Sequence, residues 1–398
     1  MVQIIDRIRA PFAADPRRPG SSDDSVATAF RAALAHAAPT PGPTPPADPL
    51  PRERPLPAPS PSPGPAPAQP GASAEEQALD SRIRAKLAGD PVALQAYERL
   101  WRISIFQDMQ PEAAGQRIEI LRQTLAAPAR VSTGPAVDPQ RLAGQHAPVL
   151  VLPQGEYNLP ADPQAFIANS RWRQDRAFWP DREHGNNTNG DRDDDFTASD
   201  VAGAGSDDFL DLDNDARGRL GSADAPVFYQ YDDTDGLPRL TYHVFYAYND
   251  GPSVQNHEGD WERITIELNP VTLEPMAARY SAHGHSSVTA FHDLPKDART
   301  GRPLVYVAGG SHANYASPGG HPTAVPFFHD HTATDRNGDG TIDAADGALR
   351  FDTGRTLRDV RAQDWYPSDG KGLRWGEIGE LDATSGPHGP SPEKGAVG

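Results

Sequence analysis

Residues 39–70, PTPGPTPPADPLPRERPLPAPSPSPGPAPAQP, place a proline at nearly every second position. Proline has no amide donor and a fixed φ, so this stretch builds neither a helix nor the interior of a sheet. It reads as an extended polyproline-type spacer, semi-rigid at about 3 Å per residue. Helical patterns precede it at residues 2–9 and 24–37, but neither carries enough apolar surface for a core. Residues 1–72 are therefore expected to be a disordered leader and Pro-rich linker.

Beyond the tether the pattern turns helical. Ser73 and Glu76 have capping-box spacing, and Asp90-Pro91 supplies an N-cap followed by a first-turn proline. Leu94, Tyr97, Trp101 and Ile105 recur at helical spacing, as do Ile118, Leu121 and Leu125 in PEAAGQRIEILRQTLA. Residues 73–128 read as a small three-helix element that packs on the next domain. Binding of a delivery or immunity partner is the alternative. From about residue 147, short alternating strands and turn residues take over. PVFYQYD and PRLTYHVFYAYND flank a DTDG turn, and GDWERITIEL, EPMAARYSAH and PLVYVAG add three more strands. The expected fold is mainly β. Residues 129–376 form a β-sandwich with peripheral helices and calcium-binding loop insertions, and 377–398 a flexible tail.

Charge and composition restrict the function. Lys plus Arg is 37 against 55 for Asp plus Glu, a formal charge of −18, which disfavours nucleic acid as a partner. With no Cys in the chain, disulfides, thiolate zinc sites and cysteine nucleophiles are excluded. No apolar run reaches the roughly 18 residues of a transmembrane span, and Asp6, Arg7 and Arg9 interrupt what would be a signal-peptide core. The expectation is a soluble protein, cytoplasmic or exported by dedicated secretion or injection machinery acting through the leader.

The informative residues lie in HEGDWERITIEL. Alternate residues of a strand share a face, so Ile264, Ile266 and Leu268 point inward together, and the same parity turns Glu262 and Asp260 inward. Inward carboxylates need a cation or an ionic partner. His257 lies three residues upstream and Asp250 closes the preceding strand. Asp250, His257, Asp260 and Glu262 thus form a candidate metal set, mostly oxygen, suited to Mg²⁺, Ca²⁺ or Mn²⁺. His283, His285 and His312 would shift it towards zinc. Neutralisation by Arg263 or Arg279 is the competing reading.

HEGDWE followed by a strand, then RYSAHGHS and VYVAGGSHANYASPGG, resembles the vacuolar protein sorting 62 family, as does APVLVLPQGEYNLPADPQAFI. The same strand also resembles, more weakly, the Gly-His-Arg-His-Asp-Trp-Glu motif of the necrosis-inducing NLP cytolysins. That resemblance implies a β-sandwich whose divalent cation is held by His257, Asp260, Glu262 and Asp250. It also implies recognition of a membrane sphingolipid head group. The motif's second histidine is replaced here by Gly259.

The segment from Asp335 to Asp346 has EF-hand spacing. Asp335, Asn337, Asp339, Thr341, Asp343 and Asp346 take the ligand positions and Gly340 the turn, with Asp where Glu is commoner at the end. Its flanks do not read as two long helices, so calcium is expected to staple a loop. Asn189, Asp191, Asp193, Asp195 and Asp200 form a poorer second calcium candidate without the turn glycine. Three function classes follow. The first is a divalent-cation-dependent, toxin-like effector that engages a membrane lipid or glycan head group. The second is a metal-dependent hydrolase of a phosphoester, glycoside or ester bond, with His283 or His312 as general base or acid. The third is a non-catalytic structural or sorting module. No HExxH, GxSxG or GxxxxGK[ST] pattern selects the second.

Overall fold

The computed structural model describes residues 72–103, 106, 111–133, 137–176, 179–251, 255–323, 328–379 and 384–392. The leader, the proline-rich tract and Ile105 lie outside the described residues.

Helix α1 (Ala74–Leu87) begins at a capping box: the Glu76 amide donates to Ser73 Oγ at 3.2 Å and the Ser73 amide to the Glu76 carboxylate at 2.7 Å. Helix α2 (Pro91–Leu100) starts on the side chain of Asp90, and α3 (Pro111–Ala126) follows. Ile83, Tyr97, Leu100, Ile120 and Leu121 are buried together with Val271, Met276 and Ala290, so the helices are fastened to the β-region by an apolar seam. Within the helical element, Arg117 and Glu76 form a buried ion pair at 2.6 Å. Helices α4 (Arg130–Thr133) and α5 (Pro139–His146) lead into the sheets, and Tyr242 donates to the Ala143 carbonyl of α5 at 2.8 Å.

Two sheets face each other across the main core. The smaller has the order β11 (Asn314–Tyr315), β10 (Leu304–Val307), β1 (Val149–Leu152), β14 (Leu349–Asp352). The larger runs β15 (Leu357–Asp359), β5 (Val227–Asp232), β6 (Arg239–Asn249), β7 (His257–Leu268), β8 (Pro275–Ala282), β9 (His285–Ala290). Leu150, Leu152, Val305 and Val307 of the first meet Tyr242, Val244, Tyr246, Ile264, Ile266 and Leu268 of the second. Burial of these alternating apolar faces is what joins the sheets into a sandwich-like, mainly β fold. The parity read from the sequence places Ile264, Ile266 and Leu268 in that core.

The outer faces are covered as well. Phe228, Phe245 and Ala247 turn away from the sandwich core and pack with Phe166, Trp365 and Trp375. Phe166 lies on α6 (Pro163–Ile167), whose N-cap is Asp162. A three-stranded sheet, β3 (Arg182–Asn186), β2 (Ser170–Gln174), β4 (Asp208–Leu212), adds Leu210 and Leu212 to the same cluster. On the other sheet, Val149, Val151 and Tyr306 cover Ile342 of the 335–346 loop.

Residues 384–392 differ from the expected loose tail. The Trp375 amide donates to the Pro387 carbonyl at 2.8 Å, Arg374 donates to the Gly386 carbonyl at 3.1 Å, and Ser391 is buried. Proline and glycine content marks the absence of regular structure. It does not prevent an irregular strap from docking where backbone partners and indole faces are available.

Candidate functional site

A local split in the larger sheet creates the site. Strand β7 pairs with β6 from Arg239↔Glu267 to Asn249↔His257, whereas β8 pairs with it only over Ile264–Leu268. Past Ile264, β8 leaves towards its turn at His283-Gly284, and the first half of β7 keeps an open edge. Side chains from both faces of β7 reach that gap. It forms a cleft of about 390 Å³ whose lining includes His257, Asp260, Glu262, Arg263, His283 and Ser311. The strap supplies a further wall through Pro387–Pro390.

The acids of the cleft are held by one loop. In the segment Gly310-Ser-His-Ala-Asn-Tyr315, four side chains reach three carboxylates. Ser311 Oγ donates to Asp330 at 2.8 Å and Tyr315 OH to the same carboxylate at 2.6 Å. His312 Nδ1 lies 2.9 Å from Asp260 Oδ2, and Asn314 Nδ2 donates to Glu262 Oε2 at 3.2 Å. His312 is fully buried, stacked on Tyr246 at 3.8 Å between centroids, with Glu156 on its far side at 3.8 Å. It does not itself line the cleft. His283 does, and its Nε2 is 2.7 Å from Asp330 Oδ2. Asp330 lies on β13 (His329–His331), the partner of β12 (Gly320–Pro322).

The electrostatics follow from this wiring. Burial alone would depress His312, but the carboxylates of Asp260 and Glu156 outweigh it and push the imidazole up to about 9. The Asp330 hydrogen bond raises His283 against the opposing effect of burial. Burial would raise Asp330, yet the bonds from His283, Tyr315 and Ser311 prevail and lower it. Glu262 goes the other way. Burial first, and the nearby Asp260 second, raise it well above the ordinary carboxyl range. A carboxyl in that position needs a proton or a cation beside it.

The residues expected to form a metal set are only partly united. His257, Asp260 and Glu262 line one cleft. The ring of His257 is turned back onto the chain, with Nδ1 donating to the Gly259 carbonyl at 2.8 Å and Nε2 accepting from Asn249 at 3.1 Å. Asp250 is exposed and accepts from Tyr157 and Asn256 instead. Among the described residues, no group of three or more His, Asp or Glu side chains stands close enough to hold a metal ion. The donor chemistry fits an oxygen-preferring cation that takes two carboxylates and fills its other positions from water or a ligand. Arg279 is paired with Glu267 at 2.9 Å, whereas Arg263 lines the cleft and its charge partly offsets the rise of Glu262, and His312 is the partner of Asp260.

Gly259 replaces the second histidine of the cytolysin motif for a steric reason. Its φ is +57°, and a Cβ there would lie 1.7 Å from the Trp375 carbonyl oxygen. His283 (φ +50°) and His312 (φ +55°) are also left-handed; with Leu273 they are the non-glycine residues in that region among those described. Such backbone persists only where surrounding contacts hold it.

The calcium-loop candidates take turn geometry. Both carboxylate oxygens of Asp335 accept from the loop, from the Gly338 amide at 2.6 Å and the Gly340 amide at 2.8 Å. Asn337, Asp339 and Asp343 each accept from the amide two residues on, and Thr341 donates its amide to Asp339. Asp346 is buried and accepts from Arg336, Asn337 and Asp343. In the second candidate, Asn189 and Asp191 make similar turns, and Asp193 and Asp195 are exposed. Asp200 is engaged as the capping partner of Thr197 at the start of α7 (Ala198–Ala202).

Of the residues singled out from sequence, His257, Asp260, Glu262 and His283 line the cleft and His312 stands behind it, whereas Glu156, Asn314, Tyr315, Asp330 and the strap were not singled out. The available signal was the GSHANY run itself, in which hydroxyl, imidazole and amide groups cluster within six residues of a turn.

No family model matches the sequence. Over 120 residues the chain is 33% identical to vacuolar protein sorting-associated protein 62 of Saccharomyces cerevisiae, covering 26% of this chain and 25% of that protein. The chain is similar to vacuolar protein sorting 62 proteins. A second yeast relative, vacuolar protein sorting-associated protein TDA6, is 36% identical over 105 residues, covering 21% of this chain and 22% of its own length. The chain thus spans about a quarter of the length of the curated relatives it matches. Among solved structures it is similar to Necrosis and Ethylene inducing Protein 2 from the causal agent of cocoa's Witches Broom disease. That match has 16% identity and a TM-score of 0.27, and covers 48% of this chain and 70% of the other. A structure described as a toxin fold as basis for microbial attack and plant defense matches at 14% identity and a TM-score of 0.29, over 60% and 82% of the two chains.

Proposed function

We propose that the β7–β8 cleft binds a hydroxyl-bearing head group of a membrane lipid or glycan with the help of a divalent cation, in a toxin- or effector-like protein. The observation that carries this is the pair of buried carboxylates, Asp260 and Glu262, set side by side on the open half of β7. Glu262 is driven well above the ordinary carboxyl range by burial and by Asp260 beside it, even against the charge of Arg263, a cost that a bound cation would relieve. Asp260 and Glu262 would hold the cation, which when bound supplies positive charge and open coordination positions for ligand oxygens. Magnesium or calcium suits two carboxylates completed by water and ligand better than structural zinc, which favours four protein donors. His312 keeps Asp260 in place from behind, and Trp261, packed against Phe245 and Trp375, forms part of the cleft wall.

The 335–346 loop is read as a calcium staple. It covers the outer face of the smaller sheet and stands apart from the cleft. Export through the N-terminal leader by a dedicated machine remains part of the same proposal.

Cosedimentation of the full chain with glycolipid-containing vesicles, in calcium or magnesium and then in EDTA, tests the reading. Binding should need the cation and fall in Glu262→Ala. Binding indifferent to chelator and identical in that variant overturns it.

One observation favours a second reading, metal-dependent hydrolysis. His283 faces the cleft with Nε2 fixed by Asp330, the orientation expected of a general base held by a carboxylate. Turnover of phosphodiester, glycoside or ester substrates, lost in EDTA and in His283→Ala, is its signature. Inactivity across such a panel with each metal added counts against it.

A further inference from the structure

A second concavity lies between the helical element and the larger sheet, and its chemistry is opposite to that of the acidic cleft. It measures about 280 Å³, and its lining includes Arg99, Arg130, Tyr231, Val131, Pro238 and Leu273. It shares no residue with the β7–β8 cleft. Two guanidinium groups and one carboxylate, that of Asp233, face this small cavity, a local excess of positive charge in a chain of net charge −18.

Arg99 is the informative member. It is half-buried at the end of α2, and among the described residues no carboxylate lies within ion-pair distance of it. Its guanidinium rests on Gly236: a Cβ built there would meet Nη1, Cζ and Nε at 2.4, 2.5 and 2.6 Å. Gly236 has φ +75° in the β5–β6 turn, so both its conformation and its lack of a side chain make room for the arginine plane. The acid nearest in the turn, Asp233, accepts from Tyr231 OH at 3.2 Å. A planar five-donor group seated on Gly236 and facing the cavity, with Asp233 turned to Tyr231, can take an anion in bidentate fashion. Arg130, across the cavity, is 55% exposed and has Glu274 only at 3.8 Å.

The opposite wall is apolar and stiff. Leu273 is left-handed at φ +61°, and its amide donates to the Asn269 carbonyl at 2.8 Å. The Asn269 side chain accepts from the amides of Val271 and Thr272 at 2.9 and 3.2 Å. The Arg130 amide in turn donates to the Val271 carbonyl at 2.9 Å, which ties the arginine wall to the same turn. Convergent polar groups on one side and fixed apolar groups on the other are the composition of a small-ligand pocket, and this volume lies just under the ordinary range of about 300–1,000 Å³.

We infer that this cavity binds a small amphipathic anion, a carboxylate or phosphate carried on a short apolar body, with Arg99 as the principal anchor and Leu273 and Pro238 against the apolar part. The site is independent of the head-group reading and stands or falls separately.

Calorimetric titration of the full chain with octyl phosphate, octanoate and neutral octanol tests it. One saturable equivalent of either anion is expected, with octanol at least about tenfold weaker, and with Leu273 methyl resonances shifting as the site fills. Which of the two anions binds more tightly separates phosphate from carboxylate recognition. Arg99→Gln should weaken the anion about tenfold or more, and Arg99→Lys should recover only part because it lacks the planar fork. If Arg99→Gln fails to fold, Arg130→Gln, at an exposed position, carries the same expectation. Absence of saturable binding, equal binding by octanol, shifts that bypass Leu273, or undiminished affinity in the folded variant each overturns the inference.

Discussion

The imidazole of His312 and the carboxylate of Asp260 are joined at 2.9 Å, from a loop on one sheet to the central strand of the other. The bond crosses the interior, out of reach of solvent, with Tyr246 stacked over the ring. It converts a histidine of the GSHANY run into the charge partner of the cleft's first acid. It also gives that buried acid a cationic partner.

The pair predicts a pH dependence with a definite sign. His312 is raised from its ordinary value of 6.5 to about 9, so the stability it contributes is fully present below about pH 6.5 and is lost as the pH rises through about 9. At about 1.4 kcal/mol per unit, the contribution is on the order of 3 kcal/mol. Thermal melts of the native chain between pH 6 and 10 should fall across that window, and His312→Gln should flatten the curve. A native profile unchanged from pH 6 to 10 rules the assignment out.

Glu262 separates stability from binding. Glu262→Gln keeps an acceptor for Asn314 and removes a buried carboxyl whose ionised form is disfavoured. The melting temperature at pH 7 is expected to hold or rise, while cation-dependent vesicle binding falls about tenfold or more. A variant that loses several degrees together with its binding would instead fit a structural or sorting module.

Gly259→Ala should be severe. The new methyl group would meet the Trp375 carbonyl at 1.7 Å, at a φ of +57° that suits glycine. Left-handed strain and overpacking together predict a loss of about 3 kcal/mol. Urea unfolding measures it, and a loss below about 1 kcal/mol shows that the backbone at Trp375 moves aside freely.

Calcium should act on the 335–346 loop through stability. A ligand at a hundredfold excess over its dissociation constant stabilises the folded chain by about 2.7 kcal/mol. Millimolar calcium should therefore raise the melting temperature of the native protein but leave Asp335→Ala unmoved. The comparison is made within each variant, because Asp335 also accepts from the Gly338 and Gly340 amides and its loss alone destabilises the turn. Equal calcium shifts in both proteins would place the ion elsewhere.

Much of the scaffold was legible because it depends on short-range chemistry. Capping at Ser73 and Asp90 and the greater part of the strands 227–232, 239–249 and 257–268 follow from periodicity and turn residues, although His257, expected in the preceding turn, already belongs to the strand. The inward set of Asp260 and Glu262 follows from period-two parity carried back from Ile264. What parity could not give was the partner of each acid. Asp250 is ten residues before Asp260 in sequence, yet it turns outward to Tyr157; Asp330 is distant in sequence, yet it fixes His283.

The sequence by itself determined which side chains a folded β-sheet would drive inward, because alternation is imposed by the backbone of each strand separately. Only the tertiary structure decided what met them there. The split between β7 and β8, the GSHANY loop and the strap at 387–390 come together through packing of segments far apart along the chain, and no local periodicity encodes that encounter.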